Sequence, residues 1–433
     1  MKRIVLILLV CAWSPLALFA DATNAPVLLA LAEAKKIALK LHPQIAQANY
    51  LALAAQEAVV ENRAGYFPTA NAYADAVGAN REGTRITAGG LNNPSVYDRA
   101  AGGFQVSQLI TDFGRTANLT ASSKYQAQAE NQNANATREQ VLLQVDISYF
   151  NAEQAQAVLR VAQQTLDTRR MLLNQITTMA TNQLRSALDV SFAQVEVQQA
   201  RLLVERAQND SDAAMATLST ALGYSDFHQF QLAEQMPATN VMTDNVESLV
   251  QTALGRRPEL LSLRDDRDAA GRFAKAERDS RLPTVAAVGV AGYAPWRNDS
   301  DLRDDYAAAG VQLSLPIFAG GLYVARQREA QYKAQADDAL LRSVENNVIR
   351  DVRIAALDLN DALEQLRTTE ELAQNAADAF TLAQARYQSG LSSIVELSDA
   401  QLNLTSAQIA ETNARYNVLI QQANLNYQTG SIL

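Results

Sequence analysis

Two carboxylates near the C-terminal end of the sequence are the residues best placed to act on charged molecules. Glu396 and Asp399 stand three positions apart in a stretch with the pattern of an α-helix. This spacing puts both carboxylates on one helix face, and grouped carboxylates attract cations and repel anions. The same spacing is equally typical of two solvated acids on a helix surface, so it leaves both interpretations open.

Other residues that could perform chemistry are scarce. The two histidines, His42 and His228, are far apart, and neither has metal-ligand spacing. Cys11, the only cysteine, lies in an apolar N-terminal segment. Gly320-Gly321 is better interpreted as the start of a helix than as a phosphate-binding loop. The sequence therefore predicts no catalytic residue, no metal site, no cofactor and no disulfide framework.

The N-terminal segment has the pattern of a secretory signal peptide. Lys2 and Arg3 precede an apolar stretch, and Ala20 and Ala22 offer an A-x-A-like cleavage site. We expect residues 1–22 to be removed, and the alternative is a buried N-terminal helix.

Hydropathy and charge exclude two further classes of protein. After Ala22 no segment approaches 18 consecutive apolar residues, so no transmembrane helix is predicted. In a bilayer the only other structure that satisfies its own backbone is a closed β-barrel. The formal net charge is −9, and an acidic chain argues against a nucleic-acid partner.

Short motifs of the first half of the chain recur in the second half, first at an offset of 215 residues and further along at 207. The recurring pairs are Ala38-Leu39 and Ala253-Leu254, Pro43 and Pro258, Ser107 and Ser314, and Gly114 and Gly321. We therefore predict two homologous halves, 23–224 and 245–433, joined by a linker over 225–244.

Each half ends in a very long helical pattern. No proline occurs between Pro94 and Pro237 or after Pro316, so nothing forces a break. Apolar residues recur every seven positions, and the same set reappears 207 residues later, which is typical of helices packed along their length. The two sets are Val145, Ala152, Leu159, Leu166 and Leu173, and Val352, Leu359, Leu366, Ala373 and Phe380. The run over 115–181 predicts a helix on the order of 100 Å long.

Four β-like runs, two in each half, precede these helices. Residues 69–76 and 310–315 alternate polar and apolar side chains, as the strands of a membrane barrel do. Aromatic residues near the ends of the runs, among them Tyr293, Trp296 and Tyr306, suit an interfacial girdle. Four strands cannot close a pore, whereas three chains would supply twelve. Ordinary hairpins at the end of a soluble coiled coil are the alternative.

Over nearly the whole chain after the signal segment, the sequence resembles the TolC-type outer-membrane efflux protein family. The motifs that carry the likeness stand in the family's order at the helix-to-strand junction, at the strand-to-helix junction and at the last helix turn. They are Arg63-Ala-Gly-Tyr66-Phe67-Pro68, Leu315-Pro316-Ile317-Phe318-Ala319-Gly320-Gly321 and Ala385-Arg386-Tyr387-Gln388-Ser389-Gly390-Leu391.

The resemblance implies a mostly α-helical chain with a β-barrel segment. It implies a homotrimer in which a twelve-stranded outer-membrane barrel, four strands per chain, continues into a long periplasmic α-helical barrel. It also implies a passive exit duct of a tripartite efflux pump or a type I secretion system, gated at its periplasmic end. The expected partners are outer-membrane lipids, a periplasmic adaptor and an inner-membrane pump of the RND, ABC or MFS class.

The resemblance also assigns site residues. Glu396 and Asp399 match the acidic ring that lines the family's periplasmic constriction. Tyr387 and Asp189 match a tyrosine–aspartate link of the closed state. A second link uses an arginine in the family, but Ser392 stands at that position here and Leu188 at its partner's.

Two turns match the family's adaptor-docking turns. Gly390 and Leu391 keep the family's glycine pattern in the second half, whereas Gln183-Leu184 lacks the glycine in the first. Leu184, Gly390 and Leu391 are therefore the expected docking residues. The main competing interpretation of the whole chain is a structural or adhesive trimeric coiled coil without a conducting role, and the sequence does not identify a cargo.

Overall fold

The computed structural model of this chain describes residues 28–77, 84–85, 95–96, 99–234, 245–297 and 303–432. The predicted signal peptide, 1–22, and residues 235–244 of the predicted linker lie outside the described residues. All statements about structure below concern the described ranges.

Both halves place two short helices before a pair of long strands and two long helices after them. The first half contains β1 (Leu28–Leu29), α1 (Leu31–Leu41), α2 (Pro43–Ala64), β2 (Thr69–Val77), β3 (Thr84–Arg85), β4 (Ser95–Val96), β5 (Arg99–Thr111), α3 (Arg115–Thr181) and α4 (Ala187–Ala221), and β6 (Gln231–Leu232) follows in the predicted linker. The second half contains α5 (Val246–Arg256), α6 (Pro258–Asp279), β7 (Thr284–Arg297), β8 (Asp305–Ser314), α7 (Leu322–Gln388) and α8 (Ile394–Gln428).

The helices of the two halves have equal lengths. α1 and α5 have 11 residues each, and α2 and α6 have 22. α3 and α7 have 67 residues each, and α4 and α8 have 35. The predicted helix over 115–181 is confirmed with the same bounds. Among the described residues, no helix combines the length and the apolar character needed to cross a membrane.

The predicted heptad residues form the seams along which the long helices pack. Val145 and Ala152 of α3, like Val352 and Leu359 of α7, have an exposed fraction of 0 %. α3 contacts α4 and α8, and α8 contacts α7. Around these seams the helices therefore form a layer in the order α4, α3, α8, α7. Closer to the strands the order is α2, α3, α6, α7.

Part of the predicted linker forms a strand that pairs with β1. β6 pairs in parallel with β1, with Leu28 opposite Gln231. The buried hydroxyl of Tyr149 lies 2.8 Å from the carbonyl oxygen of Leu29 and 2.9 Å from that of Ala233. The expectation of a simple connector over 225–244 missed this anchor, because a two-residue strand leaves no periodic pattern in a sequence.

The four long strands form one antiparallel sheet in the order β2, β5, β7, β8, and β3 pairs with β4 separately. One face of this sheet, the polar face, carries most of its polar side chains, and the other, the apolar face, carries its large exposed apolar side chains. In β2 and β8 this follows the predicted alternation. The polar face carries Asn71, Asp75, Gln105, Gln312 and Ser314. The apolar face carries the exposed side chains of Phe104, Val106, Val311 and Leu313. β8 begins at Asp305, five residues before the predicted run, and ends one residue before Leu315.

A buried carboxyl group lies where α3 meets the junction of α5 and α6. Glu139 lines a cleft of about 350 Å³ together with Arg257, Glu259 and Tyr427. Burial raises the pKa of Glu139 to about 7, and the positive charge of Arg257 opposes this shift in part. Arg257 itself binds Glu259 at 3.0 Å and the side chain of Gln428 at 2.9 Å. The positive charge of Arg257 therefore offsets only part of the cost of burying the Glu139 carboxylate.

Replacing Glu139 with glutamine is expected to stabilise the folded chain at alkaline pH. A carboxyl group whose pKa is higher in the folded chain than in the unfolded chain destabilises the fold above about pH 7. This cost fades as the pH falls to the ordinary value of 4.5. Thermal unfolding in detergent should show a higher midpoint for Glu139→Gln at pH 8 and little difference near pH 4.

Glu259→Gln is the control for this prediction, because Glu259 lies in the same cleft but is exposed and paired with Arg257. It should not produce a gain that grows with pH. An equal shift of the Glu139→Gln midpoint at both pH values would contradict the argument.

Candidate functional site

The two turns between the long helices are built alike. In the first turn, the N–H of Leu184 donates to the carbonyl of Met179 at 2.9 Å. In the second, the N–H of Leu391 donates to the carbonyl of Arg386 at 2.8 Å. Ser186 and Ser393 are the N-cap residues that precede α4 and α8, and the side chain of each accepts a hydrogen bond from a backbone N–H of the following helix.

The residue that reverses the chain in each turn has a left-handed backbone. Gly390 has a φ of 74°, and its counterpart Gln183 has a φ of 57°. Glycine adopts this conformation freely, whereas another residue pays roughly 1–2 kcal/mol. Gln183 adopts the left-handed conformation despite this cost, so the first turn has the same shape as the second although it lacks the glycine. Leu184 and Leu391 are 73 % and 71 % exposed, so both turns present a leucine to their surroundings.

Tyr387 lies in the last turn of α7, and its side chain is only 2 % exposed. It packs against Ile176 and Leu397 in a cluster shared by both helix pairs. Burial and the negative charge of Asp189 both raise the pKa of Tyr387, and Arg185 opposes them. Its hydroxyl makes no hydrogen bond within the described part of the chain.

The structure thus brings Tyr387 and Asp189 near each other without a hydrogen bond between them. Asp189 instead belongs to the start of α4, where its carboxylate accepts from the N–H of Ser186 at 3.4 Å and its own N–H donates to the hydroxyl of Ser186 at 3.2 Å. This reciprocal pair is a capping box, which fixes the orientation of Asp189 at the turn.

Arg185 is the residue that joins the first turn to the end of α7. Its guanidinium carbon lies 4.1 Å from the centroid of the Tyr387 ring, a cation–π contact. Its Nη2 atom donates a hydrogen bond to the carbonyl oxygen of Tyr387. One side chain therefore binds both the ring and the backbone of Tyr387.

Sequence reasoning missed Arg185, although the repeat held a signal for it. The offset of 207 residues pairs Arg185 with Ser392, the position where the family arginine was expected and not found. The arginine stands in the equivalent place in the other half of the chain. The hydroxyl of Ser392 is buried without a hydrogen-bond partner among the described residues, and Leu188 is 63 % exposed.

The two acids of α8 have different surroundings. Glu396 forms an ion pair with Arg386 of α7, with 3.1 Å between Nε and Oε1. Asp399 is exposed, and no salt bridge reaches it from the described residues. Both lie near the start of the same helix, but the charge of Glu396 is offset locally and that of Asp399 is not. The described residues also contain no group of three or more His, Cys, Asp or Glu side chains that could hold a metal ion.

An antiparallel sheet with one polar and one apolar face, continued by helices of 67 residues, defines the class of outer-membrane channel subunits. The sequence profile described as "Outer membrane efflux protein" matches residues 35–224 and 249–431. The chain belongs to this family.

Individual relatives show the extent of the likeness. The chain is similar to the outer membrane protein TolC of Escherichia coli (strain K12), with 25 % identity over 378 residues, covering 84 % of this chain and 72 % of that protein. TolC of Vibrio cholerae serotype O1 is 24 % identical over 420 residues, covering 93 % and 91 %. A crystal structure of a membrane protein from Pseudomonas aeruginosa shares the fold, with a TM-score of 0.78 at 22 % identity, covering 92 % and 93 %.

Removing Arg185 is expected to separate the first turn from the end of α7. Arg185→Ala loses the cation–π contact, worth about 0.5–2 kcal/mol, and a hydrogen bond from a charged group, worth about 1.5–3 kcal/mol. Amide hydrogen exchange should therefore accelerate roughly tenfold or more around Tyr387 and around the turn at Gln183, since 1.4 kcal/mol corresponds to a factor of ten.

Arg386→Ala is the matched control, because Arg386 pairs with Glu396 inside its own helix pair. It should leave exchange in the first turn unchanged. Arg185→Lys keeps the charge without the planar group and should give an intermediate rate. Wild-type exchange rates in Arg185→Ala at both turns would show that the contact has no role in holding them together.

Proposed function

We propose that this chain is one subunit of a homotrimeric outer-membrane channel, a passive exit duct for a tripartite efflux pump or a type I secretion system. The observation that carries the proposal is that, within the described residues, both the sheet and the helical layer end in two open edges on opposite sides. A subunit with two different, complementary edges forms a closed ring when its copies associate head to tail.

The open edges lie at matching positions in the sheet and in the helices. In the sheet, β2 and β8 each pair on one side only within the described residues. Next to the sheet the edge helices are α2 and α7, and farther away they are α4 and α7. Unpaired N–H and C=O groups along a strand cannot remain so inside a bilayer. Three chains would supply twelve strands, an even number within the range of outer-membrane barrels.

The edge helices also present apolar side chains at coiled-coil spacing. Leu188, Val195 and Leu202 recur every seven residues on α4 and are all exposed. Leu53 and Val60 of α2 repeat this spacing. An exposed seam of this kind is typical of a helix whose coiled-coil partner lies in another chain. On α7, Leu340 and Ile354 offer exposed apolar surface to such a partner.

The two faces of the sheet support a location in the outer membrane. In the proposed barrel the apolar face, with Phe104, Val106, Val311 and Leu313, contacts lipid. The polar face lines a water-filled lumen. The helices then extend into the periplasm, since a run of 67 residues is on the order of 100 Å long.

The turns at the far end of the helices are the proposed docking and gating region. Leu184, Gly390 and Leu391 contact a periplasmic adaptor, which links the duct to an inner-membrane pump of the RND, ABC or MFS class. The pump selects the cargo, and the duct needs neither catalytic residues nor a cofactor. Glu396 and Asp399 form the acidic ring of the constriction.

The closed state is held by the contacts around Tyr387, to which Asp189 contributes its charge and Arg185 its side chain. The halves 23–224 and 245–433, with the linker 225–244 between them, arose from one duplicated unit. The equal helix lengths and the two stretches that match the family profile support this division. Residues 1–22 direct export.

The proposal is tested by the mass and the conductance of the purified full chain. Native mass measurement in detergent should give a trimer, and planar bilayers containing it should show discrete single-channel currents. A trimer that does not conduct would support the structural coiled coil instead, and a stable monomer would dispose of both.

Removing the two acids of the proposed constriction should reduce the preference of the channel for cations. In a narrow, partly desolvated ring each carboxylate acts strongly on a passing ion, whereas wall charges in a wide tunnel are screened over about 8 Å at physiological salt. Reversal potentials in a salt gradient should therefore shift for Glu396→Ala with Asp399→Ala.

The matched control removes two acids from the N-terminal quarter of α7, in Asp337→Ala with Asp338→Ala, and should leave the reversal potential nearly unchanged. Because Arg386 offsets Glu396, Asp399→Ala alone should shift it more than Glu396→Ala alone. Equal shifts for the two pairs would mean that overall negative charge, and not this constriction, sets the selectivity.

A further inference from the structure

A row of four residues in register crosses the whole sheet. Tyr73 of β2 stands opposite Gly103 of β5, Gly103 opposite Gly292 of β7, and Gly292 opposite Tyr306 of β8. The two edge strands thus carry tyrosines, and the two central strands carry glycines, at the same level.

The hydroxyls of the two tyrosines meet above the central strands. The distance between the Oη atoms of Tyr73 and Tyr306 is 2.6 Å, a hydrogen bond in which either can donate. The glycines leave the space for it. A Cβ atom at Gly103 would lie 2.7 Å from the Tyr306 hydroxyl, and one at Gly292 would overlap the Tyr306 side chain. The Tyr306 side chain therefore extends across β7 to the level of β5.

The contact lies on the polar face of the sheet. Successive side chains of a strand point to opposite faces, so Tyr73 shares its face with Asn71 and Asp75, and Tyr306 shares its face with Gln312. The sequence had grouped Tyr306 with aromatic residues that suit an interfacial girdle. Its register places it opposite Gly292, on the face that carries Gln312.

The contact also constrains the shape of the sheet. Neighbouring strands are about 4.8 Å apart, so the edges of a four-stranded sheet are separated by roughly 14 Å. Two tyrosines can close that gap only from the same face, and bending the sheet away from that face would pull their hydroxyls apart. A hydrogen bond between the first and last strands therefore favours a sheet that is concave on its polar face.

We propose that Tyr73 and Tyr306 form a brace that fixes the curvature of each subunit's sheet, and that three such braces line one level of the channel lumen. The inference rests on the proposed trimeric barrel, in which each subunit contributes a third of the circumference. A subunit that is already curved presents β2 and β8 at the angle at which neighbouring copies pair, so the brace stabilises the assembled trimer.

The test uses the full chain in detergent and compares rates of trimer dissociation on heating. Tyr73→Phe and Tyr306→Phe each remove one hydroxyl and keep the ring, so both fold with the same packing volume. Each should raise the dissociation rate roughly tenfold, because one hydrogen bond is lost at each of three symmetry-related positions. The double variant should dissociate no faster than the less stable of the two single variants, since both changes remove the bond between these two hydroxyls.

Tyr293→Phe is the matched control. Its hydroxyl lies 3.4 Å from Asp304 within its own hairpin, and it stands on the opposite face from Gly292. This variant should dissociate at the wild-type rate.

The possible outcomes distinguish a failure of the proposed tyrosine brace from a failure of the proposed channel function. Single variants as stable as a conducting wild-type trimer would overturn the brace and leave the proposed function intact. Additive effects in the double variant would overturn it as well, because the hydroxyls would then act independently. A wild-type chain that remains a monomer would overturn both.

Discussion

The close approach of alanine-lined helix faces is the interaction on which the rest of this structure depends. Ala193, Ala200 and Ala207 of α4 recur every seven residues and are buried, and so are Ala407 and Ala414 of α8. Small side chains at a sustained heptad spacing let helix axes approach along their whole length. A helix of 67 residues needs packing partners along its length, because most helical stability in proteins comes from tertiary packing. Packed in this way, α3 and α7 carry the sheet at one end and the turns at the other.

The two turns are built alike, but the residues of the candidate site are distributed unequally between them. Both turns have the same backbone geometry, yet Gln183 replaces Gly390 and Arg185 replaces Ser392 at equivalent positions. The first turn tolerates a left-handed glutamine at a cost of roughly 1–2 kcal/mol. The same turn supplies the arginine that the second turn lacks. Arg185 of the first turn reaches Tyr387 at the end of α7, so this contact joins the two helix pairs.

The sequence predicted the parts of the fold that depend on local period. The heptad repeat in α3 and α7, which contain no proline, predicted both helices. Polar–apolar alternation predicted β2 and half of β8, since each period reflects one neighbouring surface. The acidic pair Glu396 and Asp399 followed from spacing and resemblance.

Contacts between distant segments left no such signal. The hydrogen bond between Tyr73 and Tyr306 depends on the register of all four strands at once. The Arg185–Tyr387 contact joins residues 202 positions apart. The β1–β6 pair involves two residues on each side, too few for any period. Each of these follows from tertiary geometry, which is set by packing and not by the local pattern of side chains.

The last turn of α7 takes part in both contacts of the candidate gate, the ion pair with Glu396 and the contact with Arg185. Neighbouring residues of an α-helix point about 100° apart, so Arg386 and Tyr387 contact different neighbours. Arg386 pairs with Glu396 of α8, and Tyr387 is bound by Arg185 of the first turn. A displacement of this turn relative to α4 strains the Arg185 contact, and a displacement relative to α8 strains the ion pair and exposes the charge of Glu396. In the proposed channel the mechanical state of the turn and the negative charge presented to a passing ion are therefore coupled through two adjacent residues.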